Sequence, residues 1–133
     1  MKFPWLLAAF DNQRSFCSID NLLFVIRELI QNESISSGIY NIADDVSLST
    51  NEVIRLISKS TNSNPLIWRV SKRLIKNIAK LGDIINLPLN SERLKKITES
   101  YVVSNKKIIN AIGKELPIGS EKGLLETFKS FKK

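Results

Sequence analysis

The chain has 133 residues, of which 43% are hydrophobic and 25% charged, so it can bury one core and is too apolar to be disordered. It has no histidine and a single cysteine, which exclude an internal disulfide and argue against a zinc site or a cysteine–histidine nucleophile. The net charge is +7, and the excess lies in residues 66–133, with fifteen basic and six acidic side chains against five and seven in residues 1–65. A basic half indicates an anionic partner, which could be a nucleic acid, a membrane surface or a phosphorylated metabolite, unless the lysines simply form solvated helix faces.

The first element is an apolar extended or loop segment over residues 3–10. It follows one cation and precedes no small-residue cleavage site, so we do not expect a signal peptide. No stretch approaches the ~20 apolar residues of a membrane span. The expected location is the cytoplasm, with no membrane partner. Lone Cys17 is expected to be a small buried apolar residue.

The next elements are a short strand from Phe16 to Ile19 and a helix from Asp20 or Asn21 to Gln31. This helix is apolar on most sides and is therefore expected to be buried. A second strand is predicted over Gly38–Ala43, followed by an acidic loop with Asp44 and Asp45. Two adjacent carboxylates could form a metal or acid/base pair, but neighbours in a loop diverge too much to share a proton.

The strongest local signal is a capping box, with Ser49 at the N-cap and Glu52 three residues later, which predicts a helix from Thr50 to about Ser60. Further elements follow in order. They are a strand over 66–70, a helix from Ser71 to Gly82, a short helix capped by Asn90 or Ser91, a brief strand over 101–103, a helix from Ser104 to Gly113, and a final helix from Ser120 with Leu124, Thr127, Phe128 and Phe131 inward. The alternation predicts a small mixed α/β lobe with short strands and five to six helices.

Several segments together resemble the extended short-chain dehydrogenases/reductases, in particular sugar-nucleotide epimerases of the UDP-glucose 4-epimerase type. The matching segments are Arg14-Ser15-Phe16, Ile19-Asp20-Asn21-Leu22, Gly38-Ile39-Tyr40-Asn41-Ile42-Ala43, Leu48-Ser49-Thr50-Asn51-Glu52, Tyr101 to Lys107, and Ser120-Glu121-Lys122-Gly123-Leu124. Their order and spacing carry the resemblance more than any one of them does. The chain departs from the family at Val103-Ser104-Asn105, where an aspartate is usual.

The resemblance implies an NAD-dependent isomerase that acts on a nucleoside-diphosphate sugar, a UDP-sugar in the epimerases named above. It also implies that this chain (1–133) is the C-terminal substrate-binding region of such an enzyme. The five glycines do not fit the dinucleotide fingerprint, and neither Tyr40 nor Tyr101 is followed four residues later by the lysine of the family's catalytic pair. We therefore expect no Rossmann domain, no bound NAD and no activity from this chain alone. A fragment of a related dehydratase or 4-reductase is the nearest alternative.

The resemblance also implies three substrate-binding residues. Arg14 matches the arginine that contacts the substrate diphosphate, and a guanidinium can bind phosphate oxygens in a bidentate manner. Phe16 matches the position beside the uridine or sugar. A second cation precedes the Tyr101 segment, where Arg93, Lys95, Lys96 and Glu99 cluster, and we favour Arg93.

Two expectations concern macromolecular partners. The apolar residues of segment 3–30 lack the dinucleotide domain that would cover them in the family, so we expect self-association, most simply as a homodimer. A basic nucleic-acid-binding module is the competing function. It would present aromatics for stacking, whereas Trp68, Phe128 and Phe131 fit apolar faces better, so no nucleic-acid partner is expected.

Overall fold

The computed structural model describes residues 5–85 and 88–131. Within these ranges the chain forms six helices and two short strands. They are β1 (Gln13–Arg14), α1 (Ile19–Gln31), β2 (Leu48–Ser49), α2 (Thr50–Ser60), α3 (Lys72–Ile85), α4 (Ser91–Thr98), α5 (Lys106–Ile112) and α6 (Ser120–Ser130). The predicted class, a small mixed α/β lobe with about six helices, is confirmed, and the lobe is mostly helical. Among the helices of these ranges, none has the length and apolarity to cross a membrane.

The strands β1 and β2 pair in antiparallel register, with Gln13 opposite Ser49 and Arg14 opposite Leu48. On its other side, Arg14 forms a parallel bridge with Tyr101. The backbone of residues 13–15 is thus held between β2 and the segment that follows α4. This position brings together parts of the chain that are more than 80 residues apart.

Two apolar clusters form the core. In the first, Leu7, Ile75, Ala79 and Leu94 join the N-terminal segment to α3 and α4. In the second, Val25 of α1 packs against Ile108 and Ile112 of α5, and both Val25 and Ile108 are 0% exposed. Helix α2 packs against α6. The helices are therefore paired as α3 with α4, α1 with α5 and α2 with α6.

Local capping signals explain where several helices begin and end. The predicted capping box of α2 is confirmed, because the Glu52 carboxylate accepts from Ser49 N at 2.6 Å and Ser49 Oγ accepts from Glu52 N at 3.2 Å. Asn90 caps α4 by accepting from Arg93 N at 2.9 Å. Gly113 ends α5 with a left-handed φ of 64°, which glycine adopts without steric strain.

The predicted end of α3 at Gly82 is wrong, since the helix continues to Ile85. Gly82 has a different reason to be glycine. A Cβ built at this position would lie 1.9 Å from the Leu89 carbonyl oxygen. The missing side chain therefore allows the backbone that leads into α4 to pass close against α3.

The strand predicted over Gly38–Ala43 is also wrong, because no neighbouring strand pairs with this segment in the described part of the chain. Its carbonyls are bound by side chains instead. Lys107 Nζ donates to Ile39 O at 2.8 Å, and Asn105 Nδ2 donates to Ala43 O at 2.8 Å. Backbone groups that find such partners need no sheet.

The strand predicted over Phe16–Ile19 is wrong as well, since α1 already begins at Ile19. The helix thus begins one or two residues before the predicted start at Asp20 or Asn21. Its N-cap is Ser18, whose side chain accepts from Asn21 N. Of the other two predicted strands, segment 66–70 has bridges only at Ile67 and Arg69, and segment 101–103 only at Tyr101.

Several burial predictions fail too. Helix α1 buries only Asn21 and Val25 and leaves an exposed apolar stripe at i, i+4, i+7 and i+11, formed by Ile19, Leu23, Ile26 and Ile30. Cys17 is exposed rather than buried. Trp68 alternates with a half-buried Ile67 and faces solvent. Of the residues predicted to face inward from α6, Leu124 and Phe128 are half-buried, whereas Thr127 is exposed and Phe131 lies past the last turn, 79% exposed. Phe3, part of the predicted apolar segment, is outside the described residues.

Candidate functional site

Arg14 occupies the central position of the small sheet, where three parts of the chain meet. Tyr101 N donates to Gln13 O at 2.7 Å and Ser15 N donates to Tyr101 O at 2.9 Å, which holds the backbone on both sides of Arg14. The fold therefore presents the Arg14 side chain from a backbone that cannot easily shift.

The Arg14 guanidinium reaches the last turn of α4. Its Nη2 donates to the carbonyl oxygens of Lys96 and, at 3.3 Å, of Ile97. A cation at the C-terminal end of a helix satisfies free carbonyls and interacts favourably with the helix dipole. The Nε atom of Arg14 is shielded from solvent and has no hydrogen-bond acceptor among the described residues. Arg14 thus has a structural role and, in addition, an unused hydrogen-bond donor.

Arg14 and Phe16 line one cavity of about 450 Å³, which we call the Arg14 cavity. The remaining lining residues are Thr50 and Val53 from α2 and Lys96 and Ile97 from α4. The walls are mainly apolar, and they include two positively charged side chains, those of Arg14 and Lys96. A cavity of this size, with a few polar groups on apolar walls, is typical of small-molecule sites.

The structure places Arg93 away from this cavity. Its Nη1 donates to Pro88 O at 2.8 Å, next to the first turn of α4, whereas the Arg14 cavity adjoins the last turn. The cation of α4 that lines the cavity is instead Lys96, which also pairs with Glu92 at 2.7 Å on the surface. A substrate-binding role for Arg93 stays a prediction without a place in this geometry.

A buried polar network, which the sequence analysis missed, fixes the segment that leads from Phe16 into α1. The Asp44 carboxylate accepts from Ser18 N at 2.9 and 3.0 Å and from Asn21 Nδ2 at 2.6 Å. Asn21 is 0% exposed and also exchanges two hydrogen bonds with the Ile118 backbone, at 2.7 and 3.1 Å. Asp44, Ser18 and Asn21 therefore join the start of α1 to the loop before α6. The only part of this network that stands out in the sequence is the adjacent pair of carboxylates, Asp44 and Asp45.

The neighbouring carboxylate faces a different element. Asp45 accepts from the backbone N–H and the hydroxyl of Ser120, each at 2.8 Å, at the start of α6. These hydrogen bonds, the backbone one first, lower the pKa of Asp45. Asp44 and Asp45 thus diverge as expected of adjacent loop residues, and each supports a helix start rather than a shared proton.

The described residues offer little for metal or thiol chemistry. In residues 5–85 and 88–131, no three histidine, cysteine, aspartate or glutamate side chains are grouped so that they could hold a metal ion. Partial shielding of its thiol and, secondly, the charge of Asp44 raise the pKa of Cys17. The thiolate is the nucleophilic form, so Cys17 is a poor nucleophile.

The candidate site is therefore the Arg14 cavity, built from β1, α2 and the end of α4. Comparisons with known proteins do not assign it, since no protein-family model, no curated protein and no solved structure gives a significant match to this chain.

Proposed function

We propose that the chain binds a nucleoside-diphosphate sugar in the Arg14 cavity. In this proposal it is the substrate-binding portion of an NAD-dependent epimerase of the UDP-glucose 4-epimerase type, or of a related dehydratase or 4-reductase. NAD and the catalytic tyrosine and lysine would come from outside this sequence.

One observation carries the proposal. Arg14 and Phe16, which the family resemblance assigns to the diphosphate and to the uridine or sugar, line the same cavity. They lie on the same stretch of chain, but the other walls of the cavity come from α2 and α4. The most distant of these residues in sequence is Ile97, which is 83 residues from Arg14. A cation and an aromatic ring on one apolar cavity suit a ligand that has both a phosphate and a planar base.

The cations also suit the charge of the ligand. Lys96 adds a second positive side chain at the Arg14 cavity, and its only ion-pair partner in the described chain, Glu92, is exposed. An exposed pair contributes little and can be exchanged for a phosphate. The free Nε of Arg14 could donate to a phosphate oxygen if the guanidinium turned from the α4 carbonyls toward the cavity.

The test is calorimetric titration of the chain with UDP-glucose and UDP-galactose. Loss of one charge-assisted contact costs roughly 1.5–3 kcal/mol, so we expect Lys96→Gln to weaken binding by about ten- to hundredfold. Lys129→Gln is the matched control, because Lys129 is an exposed lysine on α6 and does not line the Arg14 cavity.

Arg14→Ala should weaken binding by a similar factor. Because Arg14 also bonds the end of α4, the melting temperature of this variant must be measured beside its affinity. Absence of binding to the wild-type chain, or equal affinity in the Lys96→Gln and Lys129→Gln variants, would contradict the proposal.

A further inference from the structure

A second cavity lies against a different face of α4. It has a volume of about 460 Å³, and four of its lining side chains are lysines: Lys72, Lys76, Lys80 and Lys95. We call it the lysine cavity. Its other α4 residues are Ser91, Leu94 and Thr98, whereas Lys96 and Ile97 border the Arg14 cavity. Helix α4 therefore stands between two distinct cavities.

The lysines form a linear array. Lys72, Lys76 and Lys80 are spaced by four residues on α3, so their side chains share one face of that helix. At 1.5 Å per residue, the Cα atoms of Lys72 and Lys80 are about 12 Å apart. Lys95 faces them from α4, which packs against α3. An elongated ligand could thus meet several cations at once.

None of these four lysines forms an ion pair within residues 5–85 and 88–131. The ion pairs found in the described ranges are Lys96 with Glu92 and Lys114 with Glu28, and neither includes a lysine of this cavity. Asp83, whose partner Ser91 lines the cavity, accepts hydrogen bonds from the backbone N–H and the hydroxyl of Ser91. Like charges four residues apart destabilise a helix. An array of this kind is therefore unfavourable until an anion enters it.

The cavity also has apolar walls. Leu94 is buried, and Phe10 is half-buried with Lys72 Nζ at 5.7 Å from the centre of its ring. The volume lies in the range of small-molecule sites. A ligand with phosphates at one end and an apolar or aromatic part at the other would match both the lysines and Phe10.

We propose that the lysine cavity binds a small soluble ligand that carries three or more phosphate groups, more than the two of a nucleoside-diphosphate sugar. The phosphates would lie along Lys72, Lys76 and Lys80, and the less polar part of the ligand would lie against Phe10. The proposal does not depend on sugar-nucleotide binding in the Arg14 cavity, because no side chain lines both cavities.

The test is calorimetric titration of the full chain with inorganic triphosphate. We expect binding with one site per chain, and at least a tenfold loss of affinity in the double variant Lys76→Gln/Lys80→Gln. The matched control is Lys122→Gln/Lys129→Gln on α6, which removes the same charge from exposed positions and should bind like the wild type. All four lysines are exposed, so both variants should melt at the wild-type temperature.

Two single variants separate this site from the Arg14 cavity. Lys95→Gln should weaken triphosphate binding, and Lys96→Gln should leave it unchanged whether or not UDP-glucose binds. An equal loss in the two double variants would overturn the proposal in favour of diffuse charge attraction. Failure to bind triphosphate, together with pelleting on phosphatidylcholine vesicles that contain phosphatidylserine, would overturn it in favour of a membrane surface. Binding of single-stranded RNA without triphosphate binding would overturn it in favour of a nucleic-acid surface.

Discussion

Replacement of Asn21 by alanine tests the buried network that holds the start of α1. The variant removes three hydrogen bonds from a side chain that is 0% exposed, one of them to the Asp44 carboxylate and two to the Ile118 backbone. Each buried group left without a partner costs about 1–3 kcal/mol. We therefore expect Asn21→Ala to lower the free energy of unfolding by about 3–5 kcal/mol in all, a large share of a typical 5–15 kcal/mol.

Urea denaturation followed by circular dichroism measures this loss. With a slope of about 2 kcal/mol per molar urea, the midpoint should fall by about 2 M. The control is Asn77→Ala, the same change at an exposed position of α3, which should stay within about 0.5 kcal/mol of the wild type. A loss below about 1 kcal/mol in Asn21→Ala would refute the view that this network organises the lobe.

Three further outcomes are expected. Gly82→Ala should destabilise the chain by about 1–3 kcal/mol in urea denaturation, despite alanine's helix preference, because the alanine Cβ would meet the Leu89 carbonyl. The control Gly38→Ala, in an exposed loop, should be near neutral. Equal effects of the two substitutions would contradict the close approach of Leu89 to Gly82. The capping-box hydrogen bonds lower the folded-state pKa of Glu52, so its stabilisation is complete above the unfolded value and is lost as pH falls through the folded one. The difference in urea midpoint between the wild type and Glu52→Gln should therefore shrink from pH 7 to pH 3. A difference that does not change with pH would contradict a stabilising role for the Glu52 charge. Light scattering should show concentration-dependent dimers that Leu23→Lys/Ile30→Lys abolishes, whereas a wild-type monomer at high concentration would leave the α1 stripe without a self-association role.

The parts of the fold that were predictable from sequence depend on contacts within one helical turn. Ser49 and Glu52 are three residues apart, and Asn90 reaches only to Arg93, so the pattern of residue types already contains the geometry. Gly113 likewise ends α5 by its own conformation. Helix starts and ends of this kind need no knowledge of the rest of the chain.

Several of the errors concern contacts between distant residues. Segment 38–43 has strand-forming residues, but whether a strand forms depends on a partner, and side chains from α5 and the residue before it take that place. Asp44 meets Ser18 across 26 residues, which no local pattern indicates. Gly82 looks like a helix end, yet its role is a close approach by Leu89.

The candidate site was predictable only in part, because two of its residues are close in sequence and the others come from distant helices. Arg14 and Phe16 lie in one short segment, and the family resemblance alone selected them. The second cation could not be chosen without knowing which end of α4 adjoins the cavity. Arg93 lies three residues before Lys96, which is about 4.5 Å along the helix axis. An arginine is the better phosphate ligand by chemistry, but Lys96 is the residue at the cavity.

The most direct measurement is a titration of the isotope-labelled chain with UDP-glucose, observed through its amide NMR signals. The sugar-nucleotide proposal predicts saturable shifts at Arg14, Phe16, Val53 and Lys96, the residues of the Arg14 cavity, with little change along α3. Shifts confined to the face of α3 that carries Lys72, Lys76 and Lys80, or no shifts at millimolar ligand, would contradict it.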